Sequence, residues 1–237
     1  MSHSFADAGH LPHRRSAPAD PAGLPRQRRG TTPQMHGRYP DYDVLADARH
    51  WDDVTRQAIL ARASEVPTVR FFDEREARTA RAFCDTVMAQ DRDPRIPVME
   101  MVDAKLFEGR LDGFRYADMP DDRDTWHQVL AALDDAAGPG GLATVPDARR
   151  RAIVDGFAHG DLRVDLDVGR AWSVLMRAVL EAFYSHPWAW NEIGFGGPAY
   201  PRGYMRLAPG PRGRDPREAI EAFGPDPVVD VPRRGLE

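Results

Sequence analysis

Histidine and cysteine are the residues of this chain best suited to metal binding or nucleophilic catalysis, and neither follows a pattern that those reactions need. The eight histidines lie at positions 3, 10, 13, 36, 50, 127, 159 and 186, and no pair has the His-Glu-x-x-His spacing of a zinc site. We therefore predict no metal site. His186 precedes Pro187 and is expected to cap a helix or to form a hydrogen bond. The single cysteine, Cys84, lies on the apolar side of a helical pattern, which predicts a buried, unreactive thiol.

Serine and glycine patterns do not indicate an active site either. No serine lies in the Gly-x-Ser-x-Gly pattern of hydrolase nucleophiles. The sequence GFGGP at 194–198 resembles a dinucleotide-binding loop only in part, because it lacks the full Gly-x-Gly-x-x-Gly spacing and follows no predicted strand. We therefore predict no catalytic residue and no cofactor-binding residue in this chain.

The most unusual segment is residues 183–205, which hold seven of the chain's 21 aromatic residues together with glycines and prolines. One interpretation is a long ordered loop in which aromatic side chains cap the core and glycines supply left-handed turns. The other is a docking surface, because Trp, Tyr and Arg dominate protein interfaces. Composition alone favours the first interpretation.

Helical periodicity dominates between residues 39 and 207, and no useful alternating strand pattern occurs. We predict an all-α fold: an irregular bundle of five or six helices, followed by the long ordered loop rich in aromatic residues and glycine. The strongest stripe belongs to the last helix and consists of Trp172, Leu175, Met176, Val179, Phe183 and Tyr184. We expect that helix to end at His186, because Pro187 disfavours helical geometry in the residue before it.

Shorter signals position the other helices. Asp73 and Glu76 form a capping-box pattern before the second helix. Asp134 and Asp135 are predicted to lie on the solvated face of a later helix. In the first helix, four apolar residues have the spacing of one helical face: Trp51, Val54, Ala58 and Ile59.

The two ends of the chain and its charge limit the function further. Residues 1–38 are predicted to form a disordered basic arm, and residues 208–237 a mostly irregular tail, because both are rich in Pro, Gly and Arg. A net charge of −5 and a pI of about 5.9 give no field that would attract nucleic acid. No window reaches the roughly 20 apolar residues that a membrane span needs.

Residues 183–207, FYSHPWAWNEIGFGGPAYPRGYMRL, closely resemble the C-terminal motif of the gluconate 2-dehydrogenase subunit 3 family. Three other segments agree with it, so the resemblance covers residues 39–207: YPDYDVL at 39–45, FFDEREARTARAFCDTVM at 71–88 and RIPVMEMVDAKLFEGRLDGFRYADMP at 95–120. The resemblance implies a helical, non-catalytic small subunit without a redox centre. Such subunits support the folding, maturation or export of a separate FAD-containing flavoprotein of the glucose-methanol-choline (GMC) type, often with a cytochrome c subunit.

The resemblance also implies which residues contact the flavoprotein or fix the shape of the aromatic segment: Tyr184, His186, Pro187, Trp188, Trp190, Asn191, Glu192, Phe195, Gly196, Gly197, Arg202 and Tyr204. Many family members carry a twin-arginine export signal, whereas Arg14 and Arg15 here lack the apolar segment that follows it. We therefore expect the protein to act in the cytoplasm or to reach the periplasm by export with a partner.

Two alternatives remain open on the sequence. One is a stand-alone helical oxidoreductase or small-molecule-binding protein that uses the glycine-rich loop with His186, Glu192 or Arg202. The other is an assembly factor that leaves once the flavoprotein has folded.

Overall fold

The computed structural model describes residues 44–45, 48, 51–91, 93, 95–111, 113, 116–193 and 195–198. This part of the chain contains seven α-helices. They are α1 (Asp53–Ser64), α2 (Glu74–Val87), α3 (Val98–Phe107), α4 (Asp122–Ala137), α5 (Asp147–His159), α6 (Val168–Ser185) and α7 (Pro187–Ile193). No strand occurs among these residues, and the predicted all-α fold is confirmed. The predicted arm 1–38 and tail 208–237, and the domain limits drawn there, lie outside the described residues.

The chain divides into two compact units. In its described part, the first unit contains α1 and α7, and it resumes at Tyr184 within the last turn of α6. The second unit comprises residues 66–91 and 96–183, and therefore holds α2 to α5 and most of α6. No helix in the described ranges is both long and apolar enough to cross a membrane.

Local sequence signals begin and end the helices of the second unit, and the capping box predicted before α2 is confirmed. The Asp73 side chain accepts the N–H of Glu76 at 2.8 Å, and the Glu76 carboxylate accepts the N–H of Asp73 at 3.1 Å, which completes the capping box of α2. At the start of α4, Asp121 accepts the N–H of Asp124 at 3.0 Å. Helix α5 ends at Gly160, whose φ of 90° is the left-handed conformation that glycine adopts without strain.

The core of the second unit is built around Phe83 of α2. Its ring meets Trp126 of α4 and Trp172 of α6 edge-on, with centroids 6.2 and 6.1 Å apart. Phe157 of α5 lies 5.1 Å from Trp172 in the same geometry. Edge-to-face pairs add to the energy of burial, so this cluster joins four helices into one core.

Asp103 of α3 fixes the segment that leads into α2. Its side chain is fully buried and accepts the backbone N–H groups of Arg70, Phe71 and Phe72 at 2.7, 2.9 and 2.9 Å. Hydrogen bonds to an ionised acceptor are about twice as strong as neutral ones. The three bonds therefore hold this segment against α3.

Asp134 contradicts the prediction of a solvated face, because its side chain is only 4% exposed. Its carboxylate accepts the Thr79 hydroxyl at 2.7 Å, the Leu142 N–H at 2.9 Å and Arg75 Nε at 2.8 Å. The hydrogen bond and charge of Asp134 raise the pKa of Arg75 above its ordinary value. These partners come from α2 and from the turn after α4, whereas Asp135 is exposed as predicted.

Cys84 confirms the prediction of a buried thiol, and the consequence can be measured. Desolvation raises the pKa of the Cys84 thiol well above its ordinary value, and the charges of Asp85 and Glu100 raise it further. The thiolate fraction at pH 8 is therefore lower in the folded protein than in the unfolded chain. We expect iodoacetamide to label Cys84 at least about 100-fold more slowly in the native protein than in the urea-unfolded chain. Mass spectrometry of the intact protein measures the labelling rate. Equal rates would contradict the burial of this thiol.

Candidate functional site

The aromatic segment forms helix α7 and the turn after it, rather than the continuous loop that was predicted. Helix α6 ends at Ser185, before His186 and Pro187, as expected. Pro187 then begins α7, because the first helical position needs no N–H donor and favours the fixed φ of proline. The carbonyl of His186 accepts the N–H of Ala189 at 3.0 Å, which closes the first turn.

His186 is a buried, hydrogen-bonded histidine, as its position before Pro187 predicted. The residue is 2% exposed, and its Nδ1 accepts the N–H of Trp188 at 3.2 Å. The two rings meet edge-on with centroids 5.0 Å apart. In this position His186 shapes the start of α7, and a solute would have to displace neighbouring groups to reach it.

Both tryptophans of α7 belong to the core of the first unit. Trp188 and Trp190 are 6% and 7% exposed. The indole Nε1 of Trp190 donates to the carbonyl of Tyr184 at 2.5 Å. The Trp188 Nε1 is buried and has no hydrogen-bond partner in the described part of the chain. Because both rings are large and buried, they contribute mainly to the stability of the unit.

Asn191 connects α7 to a distant part of the chain. Its Oδ1 accepts the backbone N–H of Val44 at 2.8 Å, across 147 positions of sequence, and both residues are buried. A buried N–H needs such an acceptor, because leaving it unpaired costs free energy. This hydrogen bond therefore fixes the segment before α1 against α7.

Replacing Asn191 with alanine is expected to lower the free energy of unfolding by about 1–3 kcal/mol, because the Val44 N–H would lose its acceptor in a buried place. Urea unfolding measures the loss, and faster hydrogen exchange at the Val44 amide locates it. Gln57→Ala is the matched control, since Gln57 is an exposed amide in α1. If both variants unfold at the same urea concentration, the hydrogen bond does not have this role.

The turn after α7 presents the ring of Phe195 on the surface. The Phe195 N–H donates to the carbonyl of Trp190 at 2.9 Å, and the two rings meet edge-on at 5.5 Å. Gly197 has a φ of 79°, and a Cβ there would lie 3.0 Å from Val44 Cγ2 and 3.3 Å from Trp51 Cζ2. Glycine therefore allows the close packing that holds this turn in place.

Helix α1 and this turn border an apolar groove of about 370 Å³ in the first unit. It is lined by Val54, Thr55, Ala58, Ile59, Arg62, Trp190, Phe195 and Pro198. The apolar face predicted for the first helix is only partly covered, since Val54 and Ala58 are exposed while Trp51 and Ile59 are buried. Periodicity identifies an apolar stripe, but it does not tell how much of its width the fold covers.

The predicted site residues that the structure describes are either exposed or buried. Tyr184 and Phe195 are exposed. Arg202 and Tyr204 lie outside the described residues, and the side chain of Glu192 is not described. The remaining seven are buried: His186, Pro187, Trp188, Trp190, Asn191, Gly196 and Gly197. Which of the twelve residues contact a partner stays a prediction.

Sequence reasoning missed the contribution of α1 to this surface. Val54 and Ala58 were predicted only as part of an apolar helix face, and Arg62 was given no role, although all three line the groove beside Phe195. No local pattern could have found them, because periodicity does not show which residues of an apolar stripe the fold leaves uncovered.

A second pocket, of about 530 Å³, lies in the second unit and is polar. Its two arginines already have carboxylate partners: Arg75 binds Asp134, and Arg78 binds Glu74 at 2.8 Å. The rest of its lining is Asp135 and the glycine-rich stretch 138–141. Within the described ranges, no three His, Cys, Asp or Glu residues are grouped as metal ligands would be.

Comparison with known proteins adds one finding to this geometry. The chain matches the family described as gluconate 2-dehydrogenase subunit 3 over residues 74–197, just over half of its length. The match begins with α2 and ends at Gly197, so it includes α7 and the turn that carries Phe195. No curated protein and no solved structure matched the chain.

Proposed function

Because this chain belongs to the gluconate 2-dehydrogenase subunit 3 family, we propose that it is the non-catalytic small subunit of a flavin-dependent gluconate or sugar dehydrogenase. In this proposal the catalytic chain is a separate GMC-type flavoprotein that holds FAD, and a cytochrome c subunit can join the complex. The small subunit supports the folding, maturation or export of the flavoprotein. The family match carries the proposal.

The ionisable groups in the interior of the second unit support an accessory role, since they are committed to the fold. Asp103 binds three backbone amides, and Asp134 binds Thr79, Arg75 and the Leu142 amide. The largely buried Lys105 pairs with Glu181 at 2.5 Å. Groups held in this way give the unit its shape, and releasing Asp103 or Asp134 for proton transfer would leave backbone amides and the Thr79 hydroxyl without their acceptor.

The apolar surface of the first unit supports a role in binding another protein. Val54, Tyr184, Ile193 and Phe195 are large apolar or aromatic residues that remain exposed in this small unit. Val54 and Phe195 border the same groove, and exposed apolar patches typically mark interaction sites. A small subunit needs such a surface to hold a folding intermediate or a finished flavoprotein.

Co-expression with a GMC-type flavoprotein from the same organism tests the proposal. The measured quantities are the visible flavin spectrum and dye-linked sugar oxidation, with and without this chain. We expect flavin and activity to depend on this chain and the two chains to elute together. Dependence without co-elution would indicate an assembly factor, and colour or activity in this chain alone would indicate the stand-alone alternative. A flavoprotein that is fully loaded and active without this chain would contradict the proposal.

A further inference from the structure

We propose that the apolar groove between α1 and the turn 195–198 is the docking site for an apolar segment of the flavoprotein that carries a carboxylate next to its apolar side chains. The inference rests on the proposed function, since that function supplies the second chain. It adds a surface on α1, outside the aromatic segment that the sequence singled out.

The walls of the groove are apolar and open to solvent. Val54 is 78% exposed on one side, and Phe195 is 46% exposed on the other. Trp190 and Ile59 lie behind them and are buried. Covering these exposed side chains would remove apolar surface from water, which is the main source of affinity in protein association.

One wall of the groove is anchored by contacts within the unit, which lowers the entropy lost when the groove is filled. Phe195 is held by its backbone hydrogen bond to Trp190 and by ring contact with it. Gly197 packs against Val44 and Trp51 directly beyond it. A pre-organised pocket of this kind avoids the cost of ordering its own side chains on binding.

Arg62 determines the charge that the occupant should carry. Its guanidinium lies at the groove, and the contact it makes in the described part is to the Ser185 carbonyl, at 3.4 Å from Nη1. The neighbouring Arg56, by contrast, is paired with Asp53. An exposed guanidinium without a carboxylate partner beside an apolar groove favours a ligand in which an Asp or Glu flanks the apolar residues.

The occupant is expected to be the flavoprotein, because the family to which this chain belongs is named for a subunit of a dehydrogenase. A second copy of this chain is the competing occupant. It would give a self-association of the isolated protein that depends on Val54.

The test compares two matched substitutions in the full-length chain. Val54→Asp places a charge in the groove, and Val66→Asp places the same charge on an equally apolar residue of the second unit that is 65% exposed. Arg62→Glu reverses the charge at the groove. Each variant is co-expressed with the flavoprotein, and binding is measured as the amount of flavoprotein that co-purifies with it. Thermal unfolding checks the fold, and light scattering of the isolated chain gives its oligomeric state.

We expect Val54→Asp and Arg62→Glu each to weaken binding about tenfold or more, and Val66→Asp to change it less than about threefold, with unfolding temperatures unchanged for all three. If Val54→Asp and Val66→Asp weaken binding equally, the groove is not the docking site. Binding of the wild-type chain would in that case still support the proposed function. A wild-type chain that does not bind would overturn both. Dimers of the isolated chain that Val54→Asp converts to monomers would assign the groove to a second copy and overturn the proposal.

Discussion

Replacing Asp134 with alanine is expected to lower the free energy of unfolding by about 2–5 kcal/mol, because two donors in the interior would each lose their acceptor. The substitution would remove the acceptor of the Thr79 hydroxyl and of the Leu142 N–H, both in the interior. It would also leave the Arg75 guanidinium without its carboxylate. Urea unfolding followed by far-UV circular dichroism measures the loss.

The adjacent residue provides the control for this prediction. Asp135 has the same charge on the same helix but is exposed, so Asp135→Ala should change the free energy of unfolding by no more than about 0.5 kcal/mol. A loss of similar size in both variants would mean that Asp134 acts through general charge and not through its buried hydrogen bonds.

Replacing Trp190 with alanine is expected to destabilise the first unit by about 3–5 kcal/mol, because a large buried side chain would leave a cavity. The change also removes the indole donor to the Tyr184 carbonyl and the ring that supports Phe195. Hydrogen exchange across α1 and α7 measures the effect on this unit directly. We expect exchange to be faster throughout both helices.

Two variants separate the causes of this loss. Trp190→Phe keeps most of the ring volume but removes the indole N–H, so it should cost less than the alanine variant. Phe195→Ala removes an exposed ring and should cost least. If Trp190→Ala leaves the exchange of α1 and α7 unchanged, the ring is not part of the core that the structure assigns to it.

The burial of Trp190 also changes how an interface at the aromatic segment must be tested. A variant of Trp188 or Trp190 that no longer binds the flavoprotein would report lost folding of the first unit as well as lost contact. Exposed residues avoid this ambiguity. Val54 and Arg62 are therefore better probes of the surface than either tryptophan.

The features that the sequence predicted correctly depend on neighbouring residues. The capping box of Asp73 and Glu76 is formed within one helical turn, so the spacing of the two residues suffices to identify it. The apolar stripe of α6 was identified from its helical spacing, and its residues Leu175, Val179 and Phe183 are buried as expected. Short-range patterns of this kind predict an all-α fold well.

The features that it missed depend on distant residues or on a second role of one residue. Asp134 is buried because Thr79 and Arg75 reach it across more than 50 positions, and no local pattern indicates them. Pro187 stops α6 and also begins α7, and the sequence was interpreted only for the end of the first of these helices. Val54 belongs to an apolar stripe whose outer edge the described fold leaves exposed.

Size-exclusion chromatography of the co-expressed chains, with light scattering and absorbance at the flavin band, tests the central claim most directly. We expect one peak that contains this chain, the flavoprotein and its FAD, and a second peak of excess small subunit without flavin absorbance. A flavin-loaded, active flavoprotein obtained without this chain, together with separate elution of the two chains, would contradict the assignment of this protein as its accessory subunit.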